Sequence, residues 1–238
     1  MKASQALEVG SIPIARSIGY LPGTHVPGFV FTAAQRFAAE GGNVMNQSIY
    51  LETARLRIRD HISDDLPTHH LLLTDEKVMY YLQDIKSATQ EDSARNLADA
   101  MCEIGDERRS RFFFRIEDKE TAAHIGEIGY TVSAWTPFGS IAEVGYFIHD
   151  AYWGKGYVTE ALRAVMDFAF SRGGVFRMIA GCIKENGGSE RVMCKCGMTK
   201  EGDFKQCTLH DGQLKDRVAY RMLRDEWLSL DAQAAPRG

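Results

Sequence analysis

The sequence predicts an α/β fold, and three observations carry that prediction. Between Ala142 and Ile148, the residues Ala142, Val144, Tyr146 and Ile148 alternate with Glu143, Gly145 and Phe147, the period-two pattern of a strand rich in aromatic and β-branched residues. Further on, Val158, Ala161, Leu162, Val165, Met166 and Ala169 recur at the spacing of one helical face, with Glu160, Arg163 and Asp167 elsewhere. Gly154 and Gly156 flank Lys155 between the two, so backbone amides can turn toward a ligand with no Cβ in the way.

A glycine loop that opens a helix can hold phosphate. The first helical amides lack intrahelical partners, the helix dipole adds partial positive charge, and Lys155 adds a full one. The alternative is a tight turn with a solvated lysine, and the surrounding order of elements favours the phosphate reading. GxxxxGK[ST] is absent, and Thr159 stands where a GxGxxG fingerprint needs its third glycine.

In chain order, residues 1–48 differ in texture from the rest. Pro13, Pro22, Pro27 and several glycines interrupt any long element, and only Thr32 to Glu40 has a helical pattern. This is an N-terminal extension of uncertain order, with Met45 as an alternative natural start. The domain proper covers 49–230. Leu56 and Ile58 make a first strand, with Arg55, Arg57 and Arg59 on a solvated face. Helices are expected over Asp64–Leu73, Asp75–Leu82 and Thr89–Glu103, the last with a capped start at Thr89 and Asp92. Arg108, Arg109 and Arg111 read as a solvated basic turn. Strands follow over Arg111–Glu117 and Ala122–Val132, joined at Asp118–Glu120, and Pro137 with Gly139 turns the chain into the Ala142 strand. After the long helix, Phe176–Ile183 is a buried strand. A short helix places Ser189, Val192, Met193 and Cys196 on one face, with Asn186 or Ser189 as its cap and Gly197 as its stop. Strands over Thr199–Thr208 and Leu214–Leu223 flank the turn His210-Asp211-Gly212, and residues 231–238 form a frayed tail.

Composition limits the function classes. In 238 residues, 45% hydrophobic content supplies a core, and a net charge of −4 with interspersed signs gives no footprint for nucleic acid or an anionic membrane. The five cysteines (Cys102, Cys182, Cys194, Cys196 and Cys207) are odd in number and lack CxxC spacing, which predicts reduced thiols. Cys194 and Cys196 have no second Cys/His pair at zinc-finger spacing, and the adjacent His69 and His70 do not form a ligand pattern, so no metal is expected. No apolar run reaches the length of a membrane span and no secretory leader opens the chain, which makes the cytoplasm the default location.

The stretches LETARLRIR, GEIGY, EVGYFIHDAYWGKGYVTEAL, NGGSERVMCKCGMTKEG and LKDRVAYRML, taken together and in this order, resemble the GCN5-related N-acetyltransferase (GNAT) family, in particular its RimJ/RimL-type ribosomal-protein-alanine acetyltransferases. The resemblance spans about Leu51 to Trp227. It implies a GNAT-type mixed, mostly antiparallel sheet with a splayed central strand pair and helices on both faces. It further implies acetyl-CoA as co-substrate, an amine acceptor and, in some relatives, a homodimer.

Residue by residue, the resemblance gives the backbone of Phe147 and Ile148 to the pantetheine arm. The amides of Trp153, Gly154, Lys155, Gly156, Tyr157 and Val158 go to the pyrophosphate. Trp153 and Val158 depart from the usual [QR]xxGx[GA] loop, and β-branched Val158 would crowd a phosphate. The NxxS match assigns Asn186 to the cofactor and Ser189 to the leaving sulfur, against a purely capping use of both. An amide at Phe147 or Ile148 would stabilise the oxyanion. The family's glutamate base has Thr208 in its place, which leaves Glu143 as substitute base, against an exposed strand carboxylate, and Glu127 as a further candidate. An α-amine, with pKa near ~8 against ~10 for an alkyl amine, asks less of a base. The acceptor is then a protein N-terminus or a small amine. The acids Asp75, Glu76, Asp84, Glu91 and Asp92 read as a solvated helix and not as a polyamine site. Two other classes stand beside the enzyme: a non-catalytic acyl-CoA-binding module, and a nucleotide-binding or structural protein.

Overall fold

The computed structural model describes residues 48–234, and the extension, its Thr32–Glu40 helix and Met45 lie outside them apart from Ser48. Eight strands form one sheet in the order β1-β2-β3-β4-β5-β6-β8-β7. They are β1 (Tyr50–Glu52), β2 (Leu56–Asp60), β3 (Arg111–Asp118), β4 (His124–Thr136), β5 (Gly139–Ile148), β6 (Val175–Ile183), β7 (Thr199–His210) and β8 (Gln213–Leu223). Every neighbouring pair is antiparallel except β5 and β6, which the helical crossover makes parallel.

Five helices cover the sheet: α1 (Leu66–Thr74), α2 (Gln90–Met101), α3 (Tyr157–Ser171), α4 (Gly187–Lys195) and α5 (Arg224–Ala234). The alternation in β5 decides their sides. Ala142, Val144, Tyr146 and Ile148 join the main core with Val158, Ala161, Leu162 and Val165 of α3, whereas Phe147 packs with Leu72, Leu73, Val78 and Met79 on the opposite face. Gly126 and Gly129 of GEIGY sit where a Cβ would lie 2.3 Å from the Phe147 carbonyl oxygen and 2.4 Å from the Phe113 ring, so only glycine lets β4 pack this closely on its neighbours.

Three expectations need correction. Residues 75–82 form turns and no helix, because the Asp75 carboxylate accepts from the amides of Lys77 and Val78 and satisfies them locally. Arg109 is not solvated: it is 1% exposed and paired with Asp60. Arg59 is likewise held by Asp65 and Glu117. The last helix, α5, starts directly after β8 and is assigned to Ala234, with Trp227 packed 6.3 Å from the Phe170 ring centroid. The Thr89–Asp92 capping box is present as read.

Candidate active site

The parallel pairing of β5 and β6 runs from Ser140↔Val175 to Glu143↔Ile179 and stops. β5 continues to Ile148, held only by β4 on its other side, while β6 continues to Ile183 held by β8. The two strands therefore splay, and the backbone from Gly145 to Ile148 borders an open cleft. This places Phe147 and Ile148 where an extended ligand could lie against the strand edge. The Ile148 carbonyl already accepts the Trp153 indole at 3.1 Å.

The loop after β5 is shaped by two left-handed residues, Gly154 with φ +73° and Gly156 with φ +78°, a conformation that any side chain would strain. Gly156 is the N-cap of α3. Among the described residues, the amides of Gly154, Lys155, Gly156, Tyr157 and Val158 have no protein acceptor, and they lie at the helix N-terminus. The Trp153 amide is different, because it donates to the Asp150 carbonyl at 3.1 Å; its side chain braces the loop instead. Val158 does not crowd the loop, since its side chain is fully buried against the core.

Sequence reasoning missed Arg55. Though exposed, its guanidinium stacks 4.3 Å from the Tyr157 ring centroid, donates to the Lys155 carbonyl at 3.1 Å, and pairs with Glu160 in the first turn of α3. Its place in LETARLRIR was the available signal. A depression of about 500 Å3 lined by Thr53, Gly156, Thr159, Arg163 and Lys195 adjoins the loop.

On the α3 side of β5, Asn186 caps α4 by accepting the Ser189 amide at 3.2 Å. The Ser189 hydroxyl meets the Tyr146 hydroxyl at 3.1 Å, and both residues are buried. Tyr146 is a second residue that sequence reasoning left in the core; its even register beside Ser189 was not visible without the fold.

On the other face lies a cavity of about 510 Å3, lined by Arg95, Asn96 and Asp99 of α2 together with Phe113, Glu127 and Phe147. Glu143, on the same face of β5, is half-buried with Arg217 at 3.7 Å. Burial pushes its pKa up, and Arg217 opposes that shift. Glu127 goes the other way. Burial alone would raise its pKa, but charge from His69 and His61 outweighs it and brings it down to about 2. Thr208 lies on β7 opposite Lys215, beyond a register shift that begins at Phe204. Ser189 and Glu143 thus stand on opposite faces of the sheet at the splay.

The Acetyltransferase (GNAT) domain model matches residues 55–199, more than half of the chain. The chain belongs to the GNAT acetyltransferase family. The uncharacterized N-acetyltransferase YnaD of Bacillus subtilis is 30% identical over 180 residues, covering 75% of this chain and 99% of that protein. The [ribosomal protein uS5]-alanine N-acetyltransferase of Escherichia coli is 28% identical over 118 residues, 50% of this chain and 60% of that one. The crystal structure of a GNAT-family acetyltransferase from Bacillus anthracis superposes with a TM-score of 0.63 at 28% identity, covering 75% of this chain and all of that one. The GNAT fold is thereby established, and with it an N-acetyltransferase that has ribosomal-protein-alanine acetyltransferases among its relatives.

Proposed function

We propose that this GNAT enzyme takes acetyl from acetyl-CoA and passes it to a primary amine, either a protein N-terminal α-amine or a small-molecule amine, by direct attack on the thioester. The observation that carries the reading is the free edge of β5 running into five unpaired amides around Gly154 and Gly156. Such amides at a helix N-terminus suit a pyrophosphate, with Lys155 adding charge, Arg55 bracing the loop through the Lys155 carbonyl, and the adjoining depression giving room for a nucleotide.

The remaining groups divide the proton work between the two faces. An amide at Phe147 or Ile148 stabilises the oxyanion. Glu143, whose raised pKa keeps it a usable base, takes a proton from the acceptor ammonium, directly or through water. Ser189, backed by Tyr146, supplies a proton to the leaving sulfur. Asn186 holds the amide that positions Ser189. The acceptor enters from the cavity between α2 and β4, opposite the Ser189 side.

The described cysteines are all free, which suits a reducing cytoplasm. Among the described residues, no helix is long and apolar enough to cross a membrane. A homodimer, implied by the resemblance, is read by sedimentation.

Thermal unfolding with acetyl-CoA, and separately with ATP, tests the reading. At 100 times its dissociation constant a ligand adds about 2.7 kcal/mol of stability. A raised midpoint with acetyl-CoA alone, followed by thiol release in the presence of an amine panel, is expected; equal response to both ligands or to neither rejects it.

A further inference from the structure

Behind the acceptor cavity three buried groups converge that the acetyl-transfer reading does not use. His61 follows the last residue of β2, His69 lies in α1, and Glu127 is in β4. One donor atom from each lies within 4.8 Å of the other two. Both imidazoles are fully buried, and neither ring nitrogen of His61 has a hydrogen-bond partner. A buried imidazole held only by longer contacts to the carboxylates of Asp65 and Glu127 is weakly satisfied, so this one needs explaining.

The outer nitrogens explain the orientation. His69 Nε2 is 3.1 Å from the Asn96 side-chain carbonyl oxygen and Nδ1 is 2.5 Å from Glu127 Oε1, so both nitrogens face acceptors and a bound metal would take the place of the proton between Nδ1 and Glu127. His61 Nδ1 stands 3.4 Å from Asp65 Oδ2, which leaves Nε2 turned to Glu127 Oε2 at 3.8 Å. Each imidazole has an acceptor behind it and turns its other nitrogen to the one carboxylate. That is how metal-ligating histidines are held.

The other charged and titratable groups around the cluster leave its charge to Glu127. Arg59 and Arg115 balance Asp65 and Glu117 within a single ion-pair network. His124 comes within 3.8 Å of Glu127, but its Nε2 is bonded to the Gly126 carbonyl at 3.1 Å. A cation of charge two would displace the protons on the inward nitrogens and meet one carboxylate and two imidazoles.

We propose that His61, His69 and Glu127 form a binding site for a divalent first-row transition metal, zinc foremost, whose fourth position is reached from the acceptor cavity that Glu127 lines. Two imidazoles and one carboxylate suit zinc, cobalt or nickel and not the hard cations calcium and magnesium. Ligand bonds of about 2.0–2.2 Å put tetrahedral donors about 3.3 Å apart, so the His69–Glu127 contact opens and the His61–Glu127 contact closes on binding. The spacing of the three residues along the chain gives no metal motif, and they meet only through the pairing of β2, β3 and β4 and the seating of α1.

The test uses the full chain, stripped with chelator and titrated with Co2+ at neutral pH. One equivalent should bind with the intense visible absorption of a four-coordinate site, and one equivalent of Zn2+ should displace it. His61→Gln, His69→Gln and Glu127→Gln should each lose the signal. His70→Gln should keep it, because His70 Nδ1 lies 2.8 Å from Ser93 Oγ and not in the cluster. Glu127→Gln is the deciding variant, since it keeps the shape and hydrogen-bonding capacity of the side chain. No binding by the wild-type protein, a sulfur-to-cobalt charge-transfer band, or binding retained in Glu127→Gln overturns the proposal. None of these readouts needs acetyl transfer, so they stand whether or not the acetyl-CoA reading does.

Discussion

Asp60 and Arg109 face each other inside the protein through two hydrogen bonds of 3.0 and 2.6 Å, each side chain 1% exposed. Asp60 also accepts the Ile49 amide at 2.7 Å, Arg109 donates from Nε to the Arg111 carbonyl at 2.8 Å, and the guanidinium lies 4.6 Å from the Phe112 ring centroid. The pair ties β2 to the turn before β3, with each guanidinium nitrogen of Arg109 donating and both Asp60 oxygens accepting. Removing one partner leaves a buried charge, which costs about 3–5 kcal/mol. Arg109→Met is therefore expected to lower the urea midpoint strongly. Asp60→Leu combined with Arg109→Met should cost less than the sum of the single changes, because no charge is stranded; additive losses would show that the pairing is not the cause.

The Gly156 backbone is left-handed, and an added Cβ would have only Arg55 Nη2 near it, at 3.7 Å. Space is available, so the cost of Gly156→Ala is the backbone strain of about 1–2 kcal/mol. If the loop binds pyrophosphate, strain relief should turn the amides away. The expected result is a KM for acetyl-CoA raised several-fold with kcat nearly kept. An unchanged KM would separate the loop from the cofactor.

Ser189→Ala separates catalysis from capping. The cap uses the Ser189 amide and the Asn186 side chain, both of which survive the change, while the hydroxyl shared with Tyr146 is lost. Stability should fall by about 1 kcal/mol. If the hydroxyl protonates the sulfur, kcat falls by a factor on the order of 10²–10⁴ with little change in acetyl-CoA binding. A stability loss without a turnover loss would leave Ser189 as a structural residue only.

The sheet was legible in the sequence because local signals and burial agree along it. Ala142–Ile148 alternates in sequence and alternates between two packed faces in the fold, and Gly139, Gly197 and Gly212 fall at positive φ where turns or stops were read. What was not legible depends on pairing across long separations. Arg109 looks like one of three surface arginines until β2 and β3 bring Asp60 beside it. Arg55, in the bend before β2, reads only as solvated until α3 places Tyr157 and Glu160 against it. His69 and His70 are equivalent in sequence, yet a helical turn sends one to Glu127 and the other to Ser93. The helix expected over 75–82 failed for a local reason, the Asp75 carboxylate competing for backbone amides.

Glu143 and Glu103 have pKa shifts of opposite sign, and each makes a distinct pH prediction. Burial raises the pKa of Glu143, with Arg217 opposing. A base acts only when ionised, so the acetyl-transfer rate should climb with pH above the usual carboxylate range. Glu143→Gln should remove that limb, whereas Arg217→Met should move it to higher pH; a limb that persists in Glu143→Gln assigns the base elsewhere.

For Glu103, burial pushes its pKa upward but is outweighed by the amides of Ser110 and Arg111 and the Arg111 guanidinium, which bring it down to about 2 from an ordinary 4.5. The unfolded chain then binds the proton more readily than the folded one. The contribution of Glu103 is fully present above pH 4.5 and is lost as pH falls through about 2. Unfolding followed by denaturant at stepped pH should show the stability gap between wild type and Glu103→Gln narrowing over that window. A gap constant from neutral pH to pH 2 would mean that these hydrogen bonds do not favour the ionised carboxylate.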